Sequence, residues 1–155
     1  MPSLSSLRKA QASVDLTGKL AVVVGATSGI GEAVALRLAK AKARVLVVGR
    51  CAERGNQVVE ACKQAGGAQD CAFVACDASI LSNVKGTCDT LASMAQDKPI
   101  DFLVLSQGIA QVKGRTETSD GMEIKVGCGE PWKLRTLYKP GQALGEREAA
   151  VVVQR

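Results

Sequence analysis

Leu20-Ala21-Val22-Val23-Val24-Gly25-Ala26-Thr27-Ser28-Gly29-Ile30-Gly31 reads as a strand, a glycine-rich turn and the start of a helix. The run from Leu20 to Val24 has no polar alternation, as expected of a parallel strand covered on both faces. Glycines in the turn that follows keep side chains out of the way, so that amide N–H groups and the positive end of a helix can meet a phosphate. The spacing is G-x-x-x-G-x-G. It is neither the G-x-G-x-x-G fingerprint nor a P-loop, because no Lys-Ser or Lys-Thr pair follows the last glycine.

Outward from the turn, strand and helix signals alternate. Ile30, Ala33, Val34, Leu38 and Ala41 recur at helical spacing, which predicts a helix packed on the sheet by that stripe. Arg44 to Gly49 predicts a second strand, and Val58, Ala61, Cys62 and Ala65 mark the next helix, stopped by Gly66-Gly67. Cys71 to Cys76 predicts the third strand. Ser79 is expected to cap a helix with the stripe Ile80, Val84, Cys88, Leu91 and Ala95, and Ile100 to Ser106 predicts the fourth strand. Right-handed crossovers then imply an α/β fold, a doubly wound parallel sheet in the order 3-2-1-4.

The ends of the chain carry weaker patterns. Residues 1–15 read as a flexible N-terminal extension, with Arg8 and Lys9 and no acid before Asp15 leaving organelle targeting by residues 1–13 as the other reading. Residues 16–125 form the patterned domain. Residues 126–155 read as an irregular tail, Gly127 to Gly145 lacking any period, and close on the apolar run Ala149 to Val153.

Composition narrows the functional classes. At 155 residues, 46% hydrophobic and 23% charged, the chain suits one soluble domain. The net charge of +5 is scattered, and one Trp, one Tyr and two Phe offer little for base stacking, so nucleic acid is not expected as a partner. No apolar run approaches the ~20 residues needed to span a bilayer. The six cysteines contain no C-x-x-C pair and His is absent, so neither zinc nor a disulfide framework is expected. Buried thiols in a reducing, cytoplasmic setting account better for them, except that Cys51 beside the proposed site could be reactive.

The turn resembles the T-G-x-x-x-G-I-G pattern of the short-chain dehydrogenase/reductase family, Val24 replacing the leading Thr. That resemblance covers about Leu16 to Lys125 and implies the NAD(P)-binding Rossmann half. It implies that Gly25, Thr27, Ser28, Gly29, Ile30 and Gly31 hold the dinucleotide, with Asp77-Ala78 at the adenine and Gly108 beneath the cofactor. The family's N-N-A-G after the fourth strand is Leu105-Ser106-Gln107-Gly108 here, so only the glycine matches. Thr118-Ser119-Asp120-Gly121-Met122-Glu123 is similar to the start of the helix that follows this strand in many members.

Arg50 chooses between cofactors. An NAD site normally ends its second strand in an acid that binds the ribose 2′-OH and repels a 2′-phosphate. Gly49-Arg50 stands there instead, with Arg54 one helical turn on, which favours NADP over NAD.

The resemblance implies hydride transfer between a carbonyl and an alcohol, but the family's Ser and Tyr-x-x-x-Lys set is not found. The single tyrosine, Tyr138, has Gln142 four residues on; Pro140 breaks any helix between them, and no serine follows Ser119. No catalytic residue and no metal ligand is assigned. The reading is a truncated reductase that keeps cofactor binding, the alternatives being a non-catalytic dinucleotide-binding or interaction module and a truncated product without independent activity. An unpaired fourth strand would favour self-association through its open edge, unless Ala149 to Val153 covers it.

Overall fold

The computed structural model describes residues 3, 5, 6, 13–96, 98–108, 114–124 and 149–152. The elements run β1 (Leu20–Val24), α1 (Gly29–Lys40), β2 (Arg44–Gly49), α2 (Ala52–Gln64), β3 (Ala72–Ala75), α3 (Leu81–Ala95), β4 (Phe102–Leu105) and β5 (Ala149–Val152). The strands form one sheet in the order β3-β2-β1-β4-β5, every pair parallel. The expected doubly wound α/β arrangement with strand order 3-2-1-4 is therefore present, extended by one strand.

Why the central strands are apolar throughout is plain from their two-residue period. Leu20, Val22, Val24, Leu46 and Val48 pack on one face with Val84, Cys88 and Leu91 of α3. Ala21, Val23, Val45 and Val47 pack on the other with Ala35 and Ala39 of α1 and Val58 and Cys62 of α2. All five residues of β1 are buried, so a polar residue anywhere along it would lose its water without a partner. Cys62, Cys71, Cys76 and Cys88 are buried and not in disulfides among the described residues.

Two local expectations are corrected. The stripe expected on the first helix is turned: Ile30 and Ala33 are exposed, while Gly31, Ala35 and Ala39 face the sheet with Val34, Leu36 and Leu38 half-buried. Small residues on that face let the helix axis approach the strands, and Gly31 sets the facing by its contact with the turn. Ser79 does not cap α3. Its hydroxyl and amide both donate to Asp77 Oδ1, at 2.6 and 3.0 Å, and the helix instead receives Asp120, whose Oδ2 accepts from the Leu81 amide at 2.6 Å. Residues 118–123, similar to the start of a helix, make a turn in which the Gly121 amide donates to the Thr118 carbonyl and Glu117 bridges Glu123, and Ile124 after them is helical, the residues directly after it lying outside the described ones. Gly121 has a φ of +74°, which turns the chain just ahead of that helical residue.

Of the two expectations for the fourth strand's edge, the covered one is present: Phe102, Leu103, Val104 and Leu105 pair in register with Ala149, Ala150, Val151 and Val152. β4 thus has a neighbour on each side. The stretch 126–155 holds this strand; its other residues, including Cys128, Tyr138, Pro140 and Gln142, lie outside the described residues, as does most of 1–13.

Candidate dinucleotide-binding site

The C-terminal ends of β1, β2, β3 and β4 open into a cavity of about 270 Å³. At its centre is the turn from β1 into α1. Gly25 has a φ of +80°, and a Cβ there would stand 2.6 Å from the Gln107 amide nitrogen, so only glycine lets the turn cross beside the end of β4. A Cβ on Gly31 would meet the Gly25 carbonyl oxygen at 2.3 Å. The first turn of α1 is in this way seated on the loop itself. Ser28 makes no side-chain capping hydrogen bond, leaving the leading N–H groups of α1 to an external acceptor.

Each sequence-derived residue has a definite place. Gly25, Thr27, Ser28 and Ile30 line the middle of the cavity, Arg50, Asp77 and Ala78 one end, and Gly108 the other. Gly29 and Gly31 do not line it: Gly29 is exposed, and Gly31 is buried behind the turn. Thr27 also packs over the end of β2, where a Cβ on Gly49 would come within 2.5 Å of its methyl group. The sequence reading missed two neighbours on the β4 side, Ser106 and Gln107. The signal for Gln107 was available, since it replaces the alanine of N-N-A-G with a long polar side chain.

The electrostatics separate the two ends. Arg50 is exposed and forms no ion pair among the described residues. Burial pushes the Asp77 carboxyl up, but the Ser79 hydroxyl and amide and then the Arg50 charge outweigh it, leaving Asp77 below the usual carboxylate range. Cys51, the half-buried residue preceding α2, has its thiol drawn below the ordinary cysteine value by the Arg54 amide and guanidinium. Burial pushes the Cys76 thiol up, so this cavity wall stays neutral. At the far end, the Gln107 side-chain oxygen is buried with no hydrogen-bond partner among the described residues.

Helix N–H groups without a side-chain cap, a glycine cradle, an exposed guanidinium and an amide oxygen unpartnered among the described residues fit a phosphate-bridged dinucleotide lying across the sheet edge. The fold and this edge define an α/β protein of the dinucleotide-binding kind. The short chain dehydrogenase family model matches residues 19–125, and the chain belongs to that family. It is 33% identical over 126 residues to human "Dehydrogenase/reductase SDR family member 13", covering 81% of this chain and 33% of that protein. It is 42% identical over 107 residues to a 3beta-hydroxysteroid dehydrogenase of Mediterraneibacter gnavus, covering 68% and 36%. Among solved structures, a metagenomic short-chain oxidoreductase in complex with NADP superposes with a TM-score of 0.74 at 26% identity, covering 88% of this chain and 62% of that one. The chain spans about a third of the length of these curated relatives. No helix among the described residues is long and apolar enough to cross a membrane.

Proposed function

We propose that this chain binds NADP across the C-terminal edge of its sheet, as the cofactor-binding part of an oxidoreductase acting between a small carbonyl and an alcohol. The observation that carries the choice of NADP is Arg50, an exposed guanidinium at the end of β2 without an ion-pair partner among the described residues. It can take a 2′-phosphate through charge-assisted bonds, where an acid would repel it. The turn from Gly25 to Gly31 accepts the phosphate bridge at the N-terminus of α1, and Asp77, kept ionised, is available to an amino group of the adenine. When bound, the cofactor would carry the hydride, given up by NADPH to a carbonyl or taken by oxidised NADP from an alcohol; the protein's part is to hold and orient it. Within these 155 residues Tyr138 has Gln142 and not lysine four positions on, which favours binding without turnover as the second reading. Buried cysteines outside any disulfide among the described residues are compatible with a reducing compartment such as the cytoplasm.

Titrating NADP and NAD against the wild type and Arg50→Ala tests the reading. The substitution is expected to weaken NADP by about 1.5–3 kcal/mol and to leave NAD nearly unchanged. Equal losses for both nucleotides would remove Arg50 from 2′-phosphate recognition. NADPH oxidation with a panel of aldehydes and ketones then separates the two readings, since binding without oxidation supports the non-catalytic one.

A further inference from the structure

The β4 end of the cavity holds a polar group that the fold itself leaves unused. Gln107 is half-buried and lines the cavity, and its side-chain oxygen has no hydrogen-bond partner among the described residues. An amide oxygen sealed from water without a donor costs roughly what its lost hydration was worth, so the site favours any ligand that brings a donor to it. Its backbone is fixed on both sides. The preceding residue, Ser106, donates its amide to the Val24 carbonyl at 2.9 Å, and Gly25 lets the Gln107 nitrogen come close only because it lacks a Cβ. The side chain therefore starts from a rigid base immediately beside the phosphate-binding turn.

Sheet order decides which part of the ligand arrives there. β2, with Arg50 at its end, and β4, with Gln107, flank β1 on opposite sides. A dinucleotide whose 2′-phosphate is at Arg50 and whose phosphate bridge is at the β1 turn brings its second nucleoside to the end of β4. The phosphate oxygens carry no donor near neutral pH, whereas the ribose of that nucleoside carries two hydroxyls. We propose that Gln107 is a specificity-determining residue for the nicotinamide nucleoside, its side-chain oxygen accepting a hydrogen bond from a ribose hydroxyl. This assignment rests on the NADP reading above and adds a recognition element at the position where the family pattern has alanine.

The test compares NADP with adenosine 2′,5′-bisphosphate, which keeps the Arg50 end and lacks the second nucleoside. Gln107→Leu preserves bulk while removing the amide, and Gln107→Ala serves as a second variant should the branched side chain disturb the turn. Both are expected to bind NADP about tenfold more weakly, with affinity for the bisphosphate unchanged. The ligand-free melting temperature of Gln107→Leu should hold or rise, because an unpaired buried oxygen is gone. Unaltered NADP affinity in both variants would overturn the assignment, as would equal losses for NADP and the bisphosphate, which would place the effect in the turn. A wild-type protein that binds neither ligand would overturn the NADP reading, and this assignment with it; one that binds both while the variants match it would overturn only the assignment.

Discussion

β2 begins with one arginine and is followed directly by another, and the two have opposite fates. Arg44 is tied down: its Nε lies 2.7 Å from an Asp70 carboxylate oxygen, its Nη1 donates to the Met94 carbonyl at 2.8 Å, and its side chain is 14% exposed. Arg50, six residues on, is exposed and lacks an ion pair among the described residues. The same side chain serves the fold at one end of the strand and remains available to a ligand at the other. Residue type alone therefore says little; what distinguishes them is whether neighbouring elements supply carbonyls and carboxylates. At the N-terminal end of β2 the C-terminal turn of α3 does so, while at the C-terminal end the helices begin and offer N–H groups.

The widest way to break this contrast is to disturb the turn that holds both ends in place. Gly31→Val is expected to destabilise the protein by about 3 kcal/mol or more, since its Cβ meets backbone that cannot swing aside, and to abolish nucleotide binding with it. Thermal melts read the first effect and titration the second; an unchanged melting temperature would remove Gly31 from the helix-to-loop contact. Exchanging the two arginines sharpens the contrast further. Arg44→Ala should lower stability by about 1–2 kcal/mol, a melting shift of roughly 3–8 °C, while the preference for NADP over NAD in the folded protein stays as it was. Arg50→Ala should leave the melting temperature within a degree or so, its effect confined to NADP. If Arg50→Ala melts as early as Arg44→Ala, the two residues are not different in kind.

The smallest expected effect is one of pH. Asp77 has a folded-state pKa below its unfolded value, so its contribution to stability is present above the unfolded pKa near 4 and is lost as pH falls through the lowered folded value. Melting curves of the wild type and Asp77→Asn should therefore be furthest apart near neutrality and converge in acid. A gap that stays constant from pH 6 to pH 3 would show that the carboxylate's bonds with Ser79 are not what the substitution removes.

Much of the fold was legible because it depends on patterns that survive any packing detail. Five apolar residues before a glycine turn dictate a buried parallel strand, and the alternation with helical stripes dictates the order 3-2-1-4. The first helix was turned relative to its hydrophobic stripe because the deciding contact, Gly31 against the Gly25 carbonyl, involves a residue without a side chain. Asp120 replaced Ser79 at the start of α3 for a similar reason: a cap supplied to Leu81 from 39 residues away in sequence leaves no local signature. In the site, the gathering of Gly25, Arg50 and Asp77 around one cavity was readable because each stands at the end of a strand in the pattern. Gln107 was legible only as a departure from the alanine of N-N-A-G; its burial and unmet hydrogen bond arise in the assembled cavity.

The pairing of β5 with β4 bears on the order in which the sheet assembles. β1 and β2 are separated by residues 25–43, and β4 and β5 by residues 106–148. Closing a contact over the longer separation costs only about 0.6 kcal/mol more for each doubling of length, so distance along the chain hardly weakens the finished pair. It does delay it, because non-local contacts reward the chain only after their ends have met. The β1 and β2 pair, with α1 between them, is then an early platform and β5 a late addition of four residues at the rim. Backbone amides of β4 bonded to β1 should exchange with solvent through global opening, whereas those bonded to β5 should exchange through release of the last strand alone.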